Sequence, residues 1–325
     1  MDSHAPATLV PAESAGNARQ RFARCAWGLL GYTLLVILFG AVVRITGSGA
    51  GCGQHWPTCN GELLHLPQGL KTTIELMHRL TSGVSVMAIL ALLVAAFLVY
   101  PKGHVVRGAA VVSFVMILVE ALIGAGLVLL RLVEHDASLG RIVALPLHLI
   151  STALLTAALA WCAYFADREA GSARTLPGPA RALLFCAGLG ILLVSATGAV
   201  TALGDTVYPV QASGMAARLQ EDQGANATLL QNLRGIHPLL AIGVAAFVAY
   251  VAALMPGFAK GRVVSRASLT LGVCVTLQVL AGALNIWLSA PGPLQVVHLL
   301  LANFTWISLI LLAAATRGAA PAPAT

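Results

Sequence analysis

The sequence predicts an all-α integral membrane protein with eight transmembrane helices, arranged as two pseudo-symmetric four-helix bundles. Three observations predict this fold: an apolar composition, eight long apolar stretches and an internal repeat. Of the 325 residues, 58% are hydrophobic and only 10% are charged, a balance outside the range of soluble domains. The formal net charge of +7 does not indicate a nucleic-acid partner, because the basic residues fall in short breaks between apolar stretches.

A helix of about 20 mainly apolar residues is long enough to cross the hydrocarbon core of a bilayer. Eight stretches meet this condition: 26–43, 74–99, 107–130, 142–165, 180–202, 233–254, 264–288 and 292–315. The chain then divides into an N-terminal tail (1–25), an N-terminal bundle (26–165), a polar linker (166–179), a C-terminal bundle (180–315) and a C-terminal tail (316–325).

The distribution of basic residues predicts the orientation in the membrane. The side that carries both termini has 12 Lys and Arg residues, and the other side has 6. The positive-inside rule therefore places both termini in the cytoplasm, and segments 46–71 and 203–234 in the periplasm or an equivalent compartment. The polar start of the chain does not resemble a cleaved signal peptide, so we expect the first helix to direct insertion. A bacterial inner membrane fits this pattern.

An internal repeat relates the two halves. Gly40-Ala41-Val42 in the first helix recurs as Gly198-Ala199-Val200 in the fifth, an offset of 158 residues. Glu120 in the third helix has the same offset from Gln278 in the seventh, and a shared hydrogen-bonding role explains this pair. Because each half has an even number of helices, both halves have the same orientation and an axis along the membrane normal should relate them.

Four of the nine histidines lie inside predicted helices, one at the start of each even-numbered helix: His78, His148, His237 and His298. All four therefore share one depth near the predicted outer face. A single membrane histidine often only bonds a neighbouring helix, but two at matched depth in each half favour a metal in each bundle core. Haem is the planar, apolar candidate. Zinc or copper is disfavoured, because no Cys or carboxylate cluster joins the histidines.

Charged residues beside the histidines differ between the halves. Glu75 precedes His78 by three residues and shares its helix face, so it could accept a proton or orient water, or simply lie among lipid headgroups. The corresponding position in the second half is Arg234, which suits a haem propionate. Arg44 and Arg79 are further candidates for propionate contacts. This asymmetry nominates the N-terminal half as the reactive one.

Two cysteines, Cys52 and Cys59, flank a short segment of the first outer loop. On the oxidising side of a membrane, such a pair favours a disulfide over a metal site. The closed loop could position groups above the N-terminal bundle or exchange with a redox partner.

Several motifs together closely resemble those of the haem A synthase family. They are the run 40–51 with the Cys52 to Cys59 loop, the motif Glu75-Leu76-Met77-His78-Arg79, and the three later helical histidines. The resemblance covers about residues 26–315. The resemblance implies oxidation of the methyl group at ring position 8 of haem O to the formyl group of haem A, for terminal oxidases. It also implies a pathway link to haem O synthase and an electron acceptor that the sequence does not identify.

By this resemblance, His78 and His148 hold the substrate haem, with Glu75 assisting, while His237 and His298 ligate a haem b cofactor. Segment 203–234 has no cysteine, unlike some members of the family, so a relay through two disulfides is excluded. An iron with two imidazole ligands has no open site for oxygen, which suits haem b as an electron relay. We therefore hypothesise that water supplies the oxygen, and that Glu75 deprotonates it or stabilises a cationic intermediate.

Two other functions remain open from the sequence. A dihaem b-type electron-transfer cytochrome needs the same four histidines but no substrate exchange; Glu75 and the cysteine loop favour the enzyme. A repeat-built transporter needs broken helices and a polar site at mid-membrane, whereas the candidate groups here gather near one face.

Overall fold

The computed structural model describes residues 12–62, 69–168, 176–210, 215–318 and 320–321. Within these residues, eight helices are long and apolar enough to cross a membrane, which confirms the predicted fold class of a multi-pass helical membrane protein. They are α1 (Ala12–Ile45), α2 (Leu70–Val99), α3 (Val105–Leu129), α4 (Leu139–Phe165), α5 (Gly178–Val207), α7 (Leu229–Phe258), α8 (Arg262–Trp287) and α9 (Gly292–Gly318).

Three short elements complete the description. Helix α6 (Met215–Gln223) lies in the loop between α5 and α7, and strands β1 (Ala259–Lys260) and β2 (Ala320–Pro321) pair in antiparallel register. Apolar patterning did not predict α6, because its sequence is mostly polar and charged. The strands involve only two residues each, too few for an alternating pattern to indicate them.

The predicted spans agree with the helices to within a few residues, except at the start of α1. That helix begins at Ala12 rather than at residue 26, because hydropathy detects the membrane-crossing part and not a polar helical extension beyond it. Residues 1–11 of the predicted tail and 169–175 of the predicted linker lie outside the described residues. The division into two bundles with a linker stays a prediction.

Sequence-local signals explain where several helices begin. The Ser138 side chain accepts a hydrogen bond from the Arg141 amide at the start of α4. Thr228 and Gln231 form a reciprocal capping box at the start of α7, which satisfies amide groups that the first helical turn leaves unpaired. Both caps fix the turn that precedes a predicted histidine ligand on the same helix.

The helices pack as two sets of neighbours. Helices α1, α2, α3 and α4 contact one another in order, and α4 contacts α1; helices α5, α7, α8 and α9 do the same. The two sets meet where α4 contacts α5 and α9, and where α1 contacts α9. The indole of Trp306 on α9 donates to the Ala153 carbonyl of α4 at 2.7 Å across this contact. The adjacency is compatible with two pseudo-symmetric four-helix bundles.

The end of the helices beside the Cys52 to Cys59 loop is called here the disulfide end, and the other the termini end. Because consecutive membrane helices alternate in direction, α2, α4, α7 and α9 all begin at the disulfide end. At about 1.5 Å per residue, each of the four histidines lies within about 14 Å of the start of its helix. The four imidazoles therefore share one depth.

Candidate functional site

The His78 side chain on α2 packs directly against the backbone of α1. A Cβ atom added at Gly40 would lie 3.2 Å from Cε1 and 3.4 Å from Nε2 of the His78 ring. The Phe39 ring makes an edge contact with the imidazole, with centroids 5.7 Å apart. A larger residue at position 40 would therefore crowd the imidazole, which would have to shift by a few tenths of an ångström.

Two other histidines pack on glycine in the same way. An added Cβ would lie 3.1 Å from Cε1 of His237 at Gly198, and 3.1 Å from Cε1 of His298 at Gly282. Gly198 is the repeat counterpart of Gly40. The recurring Gly-Ala-Val motif, which the sequence indicated only as a repeat, thus marks the point where a histidine ring contacts the preceding helix.

Each half contributes two histidines from alternate helices of its set. His78 lies on α2 and His148 on α4, and His237 lies on α7 and His298 on α9. In each half the two rings come from two helices that begin at the disulfide end. The assignment of His78 with His148, and of His237 with His298, as two ligand pairs stays a prediction.

Glu120 of α3 contacts the His148 side chain. Its Oε2 lies 2.9 Å from Nδ1 of His148, an ion-pair distance, although the alignment is not that of a hydrogen bond. Thr152 donates to the same oxygen at 2.9 Å and Ser151 donates to Oε1. Both hydroxyl groups also donate to the His148 carbonyl. The carboxylate is thus fixed beside the imidazole in the membrane interior.

The second half has uncharged groups in comparable roles. The Gln278 amide nitrogen lies 3.3 Å from Nε2 of His298, and the Thr197 hydroxyl lies 3.1 Å from Nδ1 of His237. Contacts of this kind orient an imidazole and select its tautomer. Sequence analysis missed Thr197, although its position directly before the repeated Gly198 motif was a usable signal.

The donor groups fit a haem in each half. Nδ1 of His78 and Nδ1 of His298 are buried without a hydrogen-bond partner among the described residues, a costly arrangement unless another group uses the lone pair. Nδ1 of His148 likewise lacks a hydrogen-bond partner among these residues, although it lies at ion-pair distance from Glu120, and Nδ1 of His237 contacts the Thr197 hydroxyl. Imidazole nitrogens are the usual axial ligands of haem iron.

Glu75 is buried in the first turns of α2, 3% exposed. Its Oε2 accepts a hydrogen bond from the Cys52 amide at 2.8 Å. Its Oε1 accepts from Arg79 at 3.1 Å through Nε, and also through Nη2. The carboxylate therefore joins the start of α2 to the cysteine loop as well as lying one turn before His78.

Arg79 also holds the cysteine loop. Its Nη1 donates to the carbonyl oxygens of His55 and Thr58, both at 2.6 Å. The predicted disulfide is present between Cys52 and Cys59, and both cysteines are buried. A buried disulfide suits an architectural role; exchange with a redox partner requires the loop to open first.

The two other arginines predicted to contact propionates also have protein partners. Arg44 donates to the Ala202 carbonyl, the Thr206 hydroxyl and the Gln295 side chain, at 2.9, 2.7 and 2.8 Å. Arg234 donates to Asp205 and to the Tyr208 carbonyl, at 3.1 and 2.9 Å, and pairs with Asp222 of α6.

Each of these arginines therefore joins a helix end to a neighbouring segment at the disulfide end. Contacts between Arg44, Arg79 or Arg234 and haem propionates stay predictions.

The chain is similar to several known proteins. A model of the family COX15-CtaA, described as cytochrome oxidase assembly protein, matches residues 23–310. Two curated relatives, from two strains of Thermus thermophilus, are named protoheme IX farnesyltransferase and are each 39% identical over 304 residues. This alignment covers 93% of the present chain and 50% of each relative. The chain thus spans about half the length of these relatives.

A protein of Bacillus cereus strain AH187, named heme A synthase, is 42% identical over 95 residues, which are 29% of the present chain and 30% of that protein. The family model extends from the first to the last membrane helix and includes all four histidines and the cysteine loop. The chain therefore belongs to the COX15-CtaA family of cytochrome oxidase assembly proteins.

Proposed function

We propose that this chain is a haem A synthase, which oxidises the methyl group at ring position 8 of haem O to a formyl group. The observation that carries the proposal is the placement of four helical histidines at one depth, two in each helix set: His78 with His148, and His237 with His298. Membership of the COX15-CtaA family and the similarity to a heme A synthase support it.

The two pairs have different roles. His78 and His148 hold the substrate haem, because Glu75 and the cysteine loop adjoin only this pair. His237 and His298 hold a haem b cofactor, which supplies one-electron transfer when bound. Arg234 occupies the position equivalent to Glu75, and its cation is neutralised by two aspartates. A carboxylate able to move a proton is thus found beside the first pair.

The reaction defines what Glu75 has to do. Conversion of a methyl group and one water into a formyl group releases four protons and four electrons. His237 and His298 would hold the haem b that supplies electron transfer toward the unidentified acceptor. Glu75 accepts protons at its carboxylate, and Arg79 and the Cys52 amide keep that carboxylate oriented. The chain's own contribution is therefore to position the substrate and to provide a proton acceptor at one edge.

Extraction of bound haem tests the proposal against an electron-transfer cytochrome. Full-length protein is purified from membranes that contain haem O, and its haems are separated by chromatography. Haem A or haem O together with haem b supports the enzyme. Haem b alone, from cells with ample haem O, identifies a dihaem carrier and overturns the proposal.

A pair of variants tests Glu75 as a proton acceptor. Glu75→Gln should retain haem but accumulate haem O or a hydroxylated intermediate, whereas Arg79→Gln removes the contacts that hold the loop and orient the carboxylate but keeps the carboxylate group itself. A larger loss of haem A in Glu75→Gln supports the role. Equal losses mean that Glu75 acts only by holding the loop, and unchanged haem A output refutes both functions.

The Thermus relatives suggest a link to the preceding reaction. They are named protoheme IX farnesyltransferase, and half of their length lies outside the alignment. We infer that the unaligned half carries the farnesyl transfer and that the present chain receives its product, haem O. Purified chain incubated with haem b and farnesyl diphosphate should therefore produce no haem O; its formation would reassign the activity.

A further inference from the structure

A large open groove lies at the termini end, away from the histidines. It has a volume of about 930 Å³ and is bounded by α3, α4 and α9, next to the contact between the two helix sets. Most of its lining is apolar, including Val112, Met116, Leu154, Ala157, Trp161 and Ile310. A lining of this kind, open to the membrane, accepts hydrocarbon.

The mouth of the groove is basic. Lys102 and Arg107 line it, and neither is in an ion pair within the described part of the chain. The guanidinium of Arg317 lies 5.1 Å from the centre of the Trp161 ring. Burial lowers the pKa of His104, and its ring caps α3 by accepting from the Val106 amide. The charge at the mouth therefore comes from Lys102, Arg107 and Arg317.

The groove is separate from the proposed haem sites. At about 100° per residue, Ala157 and Trp161 lie on the side of α4 roughly opposite His148. Trp161 is also about 20 Å along the helix axis from that histidine. The occupant of the groove is consequently not the substrate haem held by His148.

We propose that this groove binds an anionic phospholipid. One acyl chain lies along α3, α4 and α9, and the headgroup phosphate lies between Lys102 and Arg107. The complementary charges and the apolar lining carry the proposal, since basic sites between membrane helices are typical of anionic headgroup binding. The lipid would fill the side of the α4–α9 contact, and so support the packing of one half on the other.

Native mass spectrometry of the full chain tests the charge requirement. The probes are phosphatidylglycerol and phosphatidylcholine with identical acyl chains. Wild-type protein should retain phosphatidylglycerol preferentially. The double variant Lys102→Gln/Arg107→Gln should lose affinity about thirtyfold. The matched control, Lys260→Gln/Arg262→Gln, removes the same charge from the corresponding turn of the second half, where both residues are exposed, and should bind as wild type.

A second variant tests the groove itself. A Cβ atom added at Gly108 meets no atom within 4 Å, so Gly108→Leu projects into the groove without disturbing the helix packing. It should displace the acyl chain while leaving the basic residues intact, whereas Gly272→Leu on α8, also in open space, should not. The proposal would be overturned if wild-type protein retained both lipids equally, or if Lys260→Gln/Arg262→Gln lost as much affinity for phosphatidylglycerol as Lys102→Gln/Arg107→Gln. Full binding by Gly108→Leu would also overturn it.

Discussion

Nη1 of Arg44 donates a hydrogen bond of 2.9 Å to the carbonyl oxygen of Ala202, the residue at the same repeat position in the second half. The two residues are 158 apart, the offset that relates the glycine motifs. A residue and its repeat counterpart lie close together only near the axis that relates two repeats. The contact therefore places the disulfide ends of α1 and α5 close to that axis.

Loss of the hydrogen bonds of the Arg44 guanidinium should weaken the contact between the two halves. Arg44→Lys removes the planar arrangement that reaches three acceptors on α5 and α9. Each lost bond to a charged donor costs about 1.5–3 kcal/mol. We expect a lower melting temperature in detergent, measured by the loss of helical circular dichroism.

The control for this change is Arg266→Lys, at an exposed position on α8. It should leave the melting temperature within the error of the measurement. An Arg44→Lys protein as stable as wild type would mean that the contacts of α4 with α5 and α9, and of α1 with α9, hold the halves together without the Arg44 hydrogen bonds.

The glycines under the histidines should control haem binding in their own half. In Gly198→Ala and Gly282→Ala the new methyl group meets an imidazole carbon at 3.1 Å, so the ring must move from its position. We expect each variant to retain less haem b, measured as the pyridine haemochrome per protein.

Gly124→Ala is the matched control, because Gly124 is the repeat counterpart of Gly282 and an added Cβ there meets nothing within 4 Å. It should keep its haem and gain about 1 kcal/mol of helix propensity. If Gly124→Ala lost as much haem as Gly282→Ala, the haem loss would come from a change in the helix and not from displacement of a histidine ring.

The sequence predicted features that depend on local periodicity and repetition. Hydropathy located the membrane helices, and the sequence offsets identified His237 and His298 as the repeat counterparts of His78 and His148. The sequence could not predict which acceptors Arg44, Arg79 and Arg234 meet, because these contacts join segments that only the packed helices bring together. An arginine at a helix end looks the same in sequence whether it faces a propionate, a lipid headgroup or an aspartate.

Glu120 and Gln278 should set different electronic properties for the two haems. A carboxylate beside an axial histidine raises the basicity of that ligand, which favours ferric iron and lowers the reduction potential. Glu120→Gln should therefore raise the potential of the haem held by His148, and Gln278→Glu should lower that of the haem held by His298. Redox titration followed by absorbance measures both shifts, and movement of either potential in the opposite direction would contradict this assignment.

Release of the cysteine loop should expose its disulfide. Arg79 holds the loop through the carbonyl groups of His55 and Thr58, and the loss of one such bond favours local opening by about tenfold or more. Arg79→Gln should therefore be reduced faster by a water-soluble phosphine, measured as the rate of thiol labelling at Cys52 and Cys59.

Arg131→Gln supplies the comparison on the same loop. Arg131 makes an exposed contact with Gln54 at 2.6 Å, and exposed contacts of this kind contribute little to stability. The disulfide of the Arg131→Gln variant should be reduced at nearly the wild-type rate. If the two variants were reduced equally fast, the disulfide would be protected by the loop as a whole, and the Glu75 and Arg79 pair would have no separate part in keeping it closed.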